Sequence, residues 1–118
     1  MMKYLVLIFG DEAEWTTTDA DERARIVAAH QEFAAKAGDA VLASGELELS
    51  STATSLRSGG DGKVSITDAP FLEAKEVLGG FYVLQADDLD QVIALASGLR
   101  EVHVGHSGVE IRALVNHG

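Results

Sequence analysis

The sequence contains no cysteine, a single proline and few basic residues. The absence of cysteine excludes disulfides, thiolate nucleophiles and cysteine-ligated zinc or iron–sulfur clusters. Nineteen Asp and Glu residues against nine Lys and Arg residues give a net charge of −10, which repels phosphate backbones and anionic lipid surfaces. We therefore expect no direct contact with nucleic acid and no association with membranes.

Long apolar runs are also missing. The run at residues 4–9 is shorter than a signal-peptide core, acidic residues follow it at once, and no other segment approaches the length of a membrane span. These features predict a cytoplasmic protein. A chain of 118 residues has room for one ordinary hydrophobic core, so we predict a single domain over residues 1–118.

Apolar patterns with periods of two and of about 3.6 residues divide the chain into strands and helices. We predict strands at residues 4–9, 40–49, 52–57, 63–67, 80–85 and 109–115, and helices at residues 18–37 and 87–99. A Gly- and Asp-rich turn between the third and fourth strands predicts a hairpin that projects from the main sheet. Gly45, inside the second strand, predicts a bulge or a close backbone approach.

Each predicted helix carries an apolar stripe at three- and four-residue spacing. The stripe of the first helix comprises Ile26, Val27, His30, Phe33, Ala34 and Ala37, and that of the second comprises Leu89, Val92, Ile93 and Ala96. Thr18 is predicted to cap the first helix and Gly38 to end it. His30 is therefore expected on the buried side of its helix.

The order β-α-β, hairpin, β-α-β predicts an α+β fold with a ferredoxin-like sheet and both helices on one face. The first strand is apolar at odd and even positions, which indicates that both faces of the sheet are covered there. Because the helices cover only one face, we predict a homodimer that pairs sheet against sheet.

Four segments resemble the YciI-like (YCII-related) proteins, in the branch named for its DGPF motif. They are MKYLVLIFGDEAEW, TDAPFLEAKEVLGGFYVL, DDLDQVIALA and GVEIRALV, and the resemblance covers nearly the whole chain. Where that branch has Asp-Gly-Pro-Phe, this sequence has Asp68-Ala69-Pro70-Phe71. The resemblance implies a dimeric α/β-barrel fold of the ferredoxin type.

The resemblance implies less about activity. The family is largely uncharacterised, and a cleft with a His and an Asp has suggested an enzymatic role. In the shorter YciI branch the His lies on the first helix, which His30 matches by position. The Asp belongs to an Asp-Pro-Tyr turn after the second helix, and that turn is missing from residues 99–105.

Asp68 and His30 are the predicted catalytic residues. A carboxylate before a rigid Ala-Pro turn is held in place, and it can accept a proton or orient His30 across a cleft. The alternatives are that Asp68 only caps the turn or a short helical segment at residues 70–77, and that His30 is a core residue bonded to a backbone carbonyl.

The predicted ligand-binding residues surround this pair: Tyr4, Pro70, Phe71, Lys75 and Tyr82. Lys75 can hold an anion or pair with Asp68, and a solvated or inter-subunit ion pair is the alternative. Tyr4 and Tyr82, on neighbouring predicted strands, line either a pocket or a dimer interface. His103, His106 and His117 are a weak metal signal, so we predict neither a metal site nor a cofactor.

Two functions remain open on this basis. The first is a small-molecule-binding dimer with cofactor-free acid–base catalysis near Asp68 and His30. The second is a non-catalytic accessory or regulatory module, because proteins of the resembling branch are often encoded beside extracytoplasmic-function sigma factors.

Overall fold

The computed structural model describes residues 1–118 and has the predicted order of strands and helices. The strands are β1 (Met2–Asp11), β2 (Val41–Glu46), β3 (Ser55–Gly60), β4 (Lys63–Thr67), β5 (Glu76–Ala86) and β6 (Ser107–Ala113). The helices are α1 (Glu12–Thr16), α2 (Ala20–Ala37) and α3 (Leu89–Ala96), and a 3-10 turn, Arg100–His103, follows α3. None of the helices is both long and apolar enough to cross a membrane.

The main sheet has four strands in the order β2-β5-β1-β6, and all three neighbouring pairs are antiparallel. This is the strand order of a ferredoxin-like fold, with the first and third strands of the sheet in its centre. The helices α2 and α3 cover one face. The prediction of a ferredoxin-like α+β fold is therefore confirmed.

The core lies between the sheet and the two helices. Its strand residues are Tyr4, Val6, Leu84 and Ala86, and its helix-side residues are Phe33, Val92, Ala96 and Leu99. Four positions predicted to face inward are instead exposed: Val27, Ala34, Leu89 and Ile93. Each helix packs on the sheet along one side only, so the buried stripe is narrower than the full apolar arc of the sequence pattern.

An N-cap residue and a C-terminal glycine determine where α2 begins and ends. The Asp19 side chain accepts a hydrogen bond from the backbone N–H of Glu22, so Asp19 is the N-cap, and the prediction of Thr18 was wrong by one residue. Acidic residues in the first turn suit the positive end of the helix dipole. The helix stops at Gly38, as predicted, because its φ of 54° is accessible to glycine without strain.

The short helix α1 was not predicted, and it places the only tryptophan against the sheet. Asp11 caps it by accepting a hydrogen bond from Ala13. The Trp15 ring lies directly over the backbone of β1 and β5, where a Cβ at Gly10 or Gly79 would overlap it. Gly79, the first glycine of the Gly-Gly pair, therefore makes room for Trp15.

The strand β2 is shorter than the predicted span of residues 40–49 and ends at Glu46. At Gly45 an added Cβ would lie 2.9 Å from the Phe81 ring, so this glycine makes room for a side chain and not for a close backbone approach. The register irregularity of this strand falls between Val41 and Ala43 instead.

The hairpin formed by β3 and β4 is a separate two-stranded sheet, as predicted. The chain then turns through residues 68–75 without forming a helix, so the alternative of a short helical segment there was wrong. Two contacts hold this turn against β3: Ser55 donates a hydrogen bond to the Ala69 carbonyl, and Arg57 donates one to the Phe71 carbonyl.

Candidate functional site

Three polar side chains meet where α2, β5 and the 3-10 turn come together. The Nε2 atom of His30 lies 3.0 Å and 2.9 Å from the two carboxylate oxygens of Glu101. The Nδ1 atom of the same ring lies 2.6 Å from the Tyr82 hydroxyl oxygen. His30 is thus bonded through both nitrogens to residues 52 and 71 positions away.

The elements of the fold set this geometry. His30 faces the sheet from the middle of α2, beside Phe33, whose ring packs 4.3 Å from the Tyr82 ring centroid. Tyr82 faces the helices from β5, next to Val6 in the register. Leu99 is fully buried just before the 3-10 turn, and this anchor directs the following turn and Glu101 towards α2.

The hydrogen-bond partners determine the tautomer of His30. An ionised carboxylate only accepts hydrogen bonds, so Nε2 carries the proton and donates it to Glu101. Nδ1 then has a free lone pair and accepts from the Tyr82 hydroxyl. The Tyr82 hydroxyl, the His30 imidazole and the Glu101 carboxylate are thus hydrogen-bonded in series. In sites of this layout the carboxylate orients the imidazole, and the imidazole acts as a base towards the hydroxyl.

The electrostatics keep the Tyr82 hydroxyl protonated. Burial raises the pKa of Tyr82, and the negative charge of Glu101 raises that pKa further. Glu101 is only 8% exposed, although it carries a charge. A buried carboxylate is stable only with such a partner, which makes the bond to His30 structurally necessary.

An ion pair lies next to this hydrogen-bonded group. The Nε atom of Arg100 donates to both carboxylate oxygens of Glu22, at 2.6 Å and 3.1 Å. This hydrogen bond lowers the pKa of Glu22 and raises that of Arg100. The pair ties α2 to the 3-10 turn one residue before Glu101, so it helps to hold Glu101 opposite His30.

A crevice opens beside Glu101 and has a volume of about 10 Å³, room for about one water molecule. Its far wall carries Ser107, which accepts a hydrogen bond from the Trp15 indole at 3.0 Å and lies 2.9 Å from His106 Nδ1. Because Ser107 accepts from Trp15, its own hydroxyl proton is free to be donated to His106.

The structure does not bring Asp68 to His30. Asp68 lies exposed at the end of β4, with no hydrogen bond or ion pair of its own. The contacts of Ser55 and Arg57 described above hold its turn on the hairpin, and both ring nitrogens of His30 already have other partners. The expected Asp68–His30 contact is therefore absent within one chain, and Asp68 does not cap a helix either.

The predicted ligand-binding residues are dispersed. Tyr82 is at the site, whereas Tyr4 is buried in the core with its hydroxyl 3.5 Å from the sulfur of Met2. Phe71 is exposed in the turn after β4, where its ring contacts the Arg57 guanidinium. The predicted pairing of β1 with β5 is correct, but only one of the two tyrosines, Tyr82, contacts His30.

Pro70 and Lys75 also lie away from the site, in the turn after β4. The Lys75 ammonium is 4.0 Å from the Asp11 carboxylate, and the lysine side chain is 85% exposed. Lys75 therefore pairs with Asp11 and not with Asp68. An exposed pair at this distance contributes little to stability.

The remaining histidines make separate contacts. His103 Nε2 donates to the Ser97 carbonyl at 2.7 Å, and His117 lies in the exposed C-terminal segment. No three His, Asp or Glu side chains converge in a metal-binding arrangement.

Glu101 is the site residue that sequence reasoning missed. It lies in the segment after the second helix where the YciI branch has its Asp-Pro-Tyr turn, and here it supplies the carboxylate to His30. The available signal was the presence of an acidic residue, Glu101, just after the second predicted helix.

Comparison with known proteins places the chain among its relatives. The model of the YCII-related domain family matches residues 2–115. The chain belongs to the YCII-related domain family. This YCII-related protein is 28% identical to an uncharacterised protein of Rhizobium meliloti over 116 residues, which span 96% of this chain and 92% of the relative.

A solved structure with the same fold is the 5-chloro-2-hydroxyhydroquinone dehydrochlorinase of Burkholderia phenoliruptrix, in complex with 2,5-dihydroxybenzoquinone. The TM-score is 0.50 at 17% identity, and the match covers 99% of this chain and 96% of that one. At this identity the likeness supports the fold of the YCII-related protein.

Proposed function

We propose that this protein binds a small molecule next to His30 and catalyses a proton transfer on it without a cofactor. The observation that carries the proposal is the bonding of both His30 nitrogens, with the Glu101 carboxylate on one side and the Tyr82 hydroxyl on the other. A carboxylate that fixes the tautomer of a histidine leaves the opposite nitrogen as the base.

Each of the three residues has a separate role in this proposal. His30 is the general base, and Glu101 holds its tautomer and stabilises the imidazolium that forms. Tyr82 carries protons between His30 and the bound molecule. The reference pKa values of a phenol and an imidazole differ by about 3.5, which corresponds to about 5 kcal/mol against proton transfer from tyrosine to histidine.

Burial of Tyr82 widens this gap by raising its pKa. Tyr82 is therefore a proton donor and relay in the ground state, and not a phenolate nucleophile. Proton removal and return is the chemistry of isomerisations, and proton removal with departure of a leaving group, such as chloride, is that of eliminations. The dehydrochlorinase with the same fold supplies the first compounds to test, hydroxylated and chlorinated aromatic rings.

The first experiment is a thermal-shift screen that begins with 2,5-dihydroxybenzoquinone and continues with hydroxylated and chlorinated phenols. A ligand that binds only the folded protein raises its Tm. We expect the hit to raise the Tm of the wild type and of Asp68→Asn, but not of His30→Gln. A hit whose Tm shift and turnover survive both His30→Gln and Glu101→Gln would place the site elsewhere.

The rival function, a non-catalytic accessory module, has a different outcome in the same experiment. It requires that no compound is turned over and that His30→Gln leaves every interaction of the protein unchanged. A catalytic role for Asp68 also stays a proposal, and it requires a second copy or a movement of the turn, because Asp68 does not meet His30 within one chain. We retain the DGPF branch and a cytoplasmic location as proposals on the sequence grounds given above.

We further propose that the protein is a homodimer through the sheet face that the helices leave uncovered. Leu5 and Leu7 on β1 pair with Val83 and Phe81 on β5, and all four side chains point away from the helices because their neighbours Val6 and Leu84 point into the core. Four large apolar side chains on adjoining strands form the patch that a second sheet would cover.

Sedimentation velocity tests the dimer. We expect the wild type to sediment as a dimer at micromolar concentration and Leu7→Arg to shift to monomer, since it places a charge in the centre of the patch. Val27→Arg, on the exposed side of α2, is the matched control and should leave the dimer intact. A monomeric wild type would contradict the proposal.

A further inference from the structure

The side of Tyr82 that faces β2 is open to solvent. In the sheet, the neighbour of Tyr82 on β1 is Val6, which is fully buried, and its neighbour on β2 is Ser44, which is exposed. Residues directly opposite each other in a sheet share a face, so Ser44 lies on the same side of the sheet as Tyr82. A small molecule can therefore approach the Tyr82 hydroxyl along the β2 edge.

This approach side favours a neutral or cationic ligand over an anion. Glu46 follows Ser44 by two residues and lies opposite Gly80, so it stands on the same face with an exposed carboxylate. A carboxylate only accepts hydrogen bonds. The Arg100 guanidinium already donates to Glu22, and the net charge of the chain, −10, repels anions.

The Tyr82 hydroxyl has one proton, and neutral His30 receives it. Nδ1 of His30 lies 2.6 Å from the Tyr82 oxygen, while Nε2 donates to Glu101. The Tyr82 oxygen then offers only a lone pair to a ligand. A ligand must bring a hydrogen of its own, as a hydroxyl does, because a carbonyl or ether oxygen at this place would leave both oxygens unpaired.

Protonation of His30 reverses this requirement. With a proton on both nitrogens, Nδ1 donates to the Tyr82 oxygen, and the Tyr82 proton becomes available to the ligand. A ligand that can only accept hydrogen bonds is then bound as well. The titratable and charged groups that face His30 or its approach side are Tyr82, Glu101, Glu46 and the ion pair of Glu22 with Arg100.

We propose that the site selects an uncharged ligand with a hydroxyl hydrogen, and that this hydroxyl donates to the Tyr82 oxygen. The inference rests on the proposed function, which places the ligand next to His30. In the proton transfer the ligand O–H bond breaks and a new O–H bond forms at Tyr82, while the former Tyr82 proton passes to Nδ1 of His30. The ligand anion then accepts a hydrogen bond from Tyr82, and Glu101 stabilises the imidazolium.

Two probes that differ in their hydroxyl hydrogens test this requirement: resorcinol and its methyl ether, 1,3-dimethoxybenzene. Amide shifts of β5 in ¹H–¹⁵N spectra give each Kd, at a pH where the ring ¹⁵N shifts show a neutral His30. We expect resorcinol to bind at least about tenfold more tightly. The difference should shrink as the pH falls and His30 is protonated. Exclusion of the methyl groups by size alone would not depend on the protonation of His30.

The approach along β2 is tested separately. Ser44→Phe should weaken resorcinol binding at least about tenfold, because the ring fills the space beside Tyr82. Ser65→Phe, at an exposed strand position of the hairpin, is the matched control and should bind as the wild type does. The Tm of both variants reports folding, and the probe pair on the wild type decides the hydroxyl requirement without any variant.

The outcomes separate this inference from the proposed function. Equal affinity for the two probes with neutral His30, or a preference that is the same in both protonation states, would overturn the hydroxyl requirement and leave the proposed function standing. If neither probe shifts an amide of the site, hydroxylated rings are the wrong class and the inference fails. Resorcinol binding that survives in folded Ser44→Phe would contradict the approach along β2.

Discussion

The bond between His30 and Glu101 should behave as one energetic unit, and a double-mutant cycle measures it. The cycle uses His30→Ala, Glu101→Ala and the double variant. Both carboxylate oxygens lie within 3.0 Å of Nε2, and the side chains are only 24% and 11% exposed. Hydrogen bonds to charged groups contribute about 1.5–3 kcal/mol, and little solvent screening acts on this pair.

We therefore expect a coupling energy of about 1.5–3 kcal/mol between the two positions. Each single variant should lose more than its own contact, because it leaves a buried partner unpaired. The double variant should consequently be more stable than the sum of the single losses predicts. Urea unfolding followed by circular dichroism, at one fixed protein concentration, gives the four free energies of unfolding.

The control cycle uses the exposed pair of Glu32 and Lys36, one helical turn apart on α2 with a distance of 2.8 Å. Its side chains are about two-thirds exposed, so solvent screening should make its coupling much smaller than that of His30 and Glu101. If the His30–Glu101 coupling fell within about 0.5 kcal/mol of zero, the two side chains would not interact in solution, and the reasoning about the site would be refuted.

Two further predictions concern the supports of the site. Gly79→Ala should lower the free energy of unfolding by about 1–3 kcal/mol and shift the Trp15 fluorescence emission, because the new Cβ overlaps the indole ring. Gly105→Ala is the control, because a Cβ at that position meets open space. Glu22→Gln should reduce the loss of stability at acid pH. The hydrogen bond from Arg100 lowers the pKa of Glu22, so its stabilisation is present above the ordinary pKa of a glutamate and is lost as the pH falls through the lowered pKa. An unchanged acid limb in Tm measurements would contradict this.

Local patterns were sufficient for most of the fold. The apolar run at residues 4–9, the stripe of the first helix and the Gly-rich turn predicted β1, α2 and the hairpin, because each depends on neighbours in the chain. Inward positions were less certain: Ile93 fits the helical period but lies on the exposed side of α3. Periodicity gives the face of a helix, whereas the packing partner decides how wide the buried stripe is.

The site was only half predictable. His30 follows from its place on an apolar stripe, and Glu101 does not, because it lies in a 3-10 turn without periodicity and meets His30 across 71 residues. The sequence favours Asp68 because Pro70 restricts the backbone of the turn that follows it. A proline makes a turn rigid, but it does not determine which part of the fold the turn faces. Ser55 and Arg57 decide that direction, and they act across the hairpin.

The measurement that tests the central claim most directly is the protonation state of the His30 ring. Long-range ¹H–¹⁵N spectra of protein labelled at histidine, assigned with His30→Gln, report which nitrogen carries the proton. We expect a single tautomer protonated at Nε2, with Nδ1 accepting a hydrogen bond, and loss of that preference in Glu101→Gln. A His30 ring protonated at Nδ1, or one that exchanges freely between tautomers in the wild type, would contradict the account of a base held by Glu101 and Tyr82.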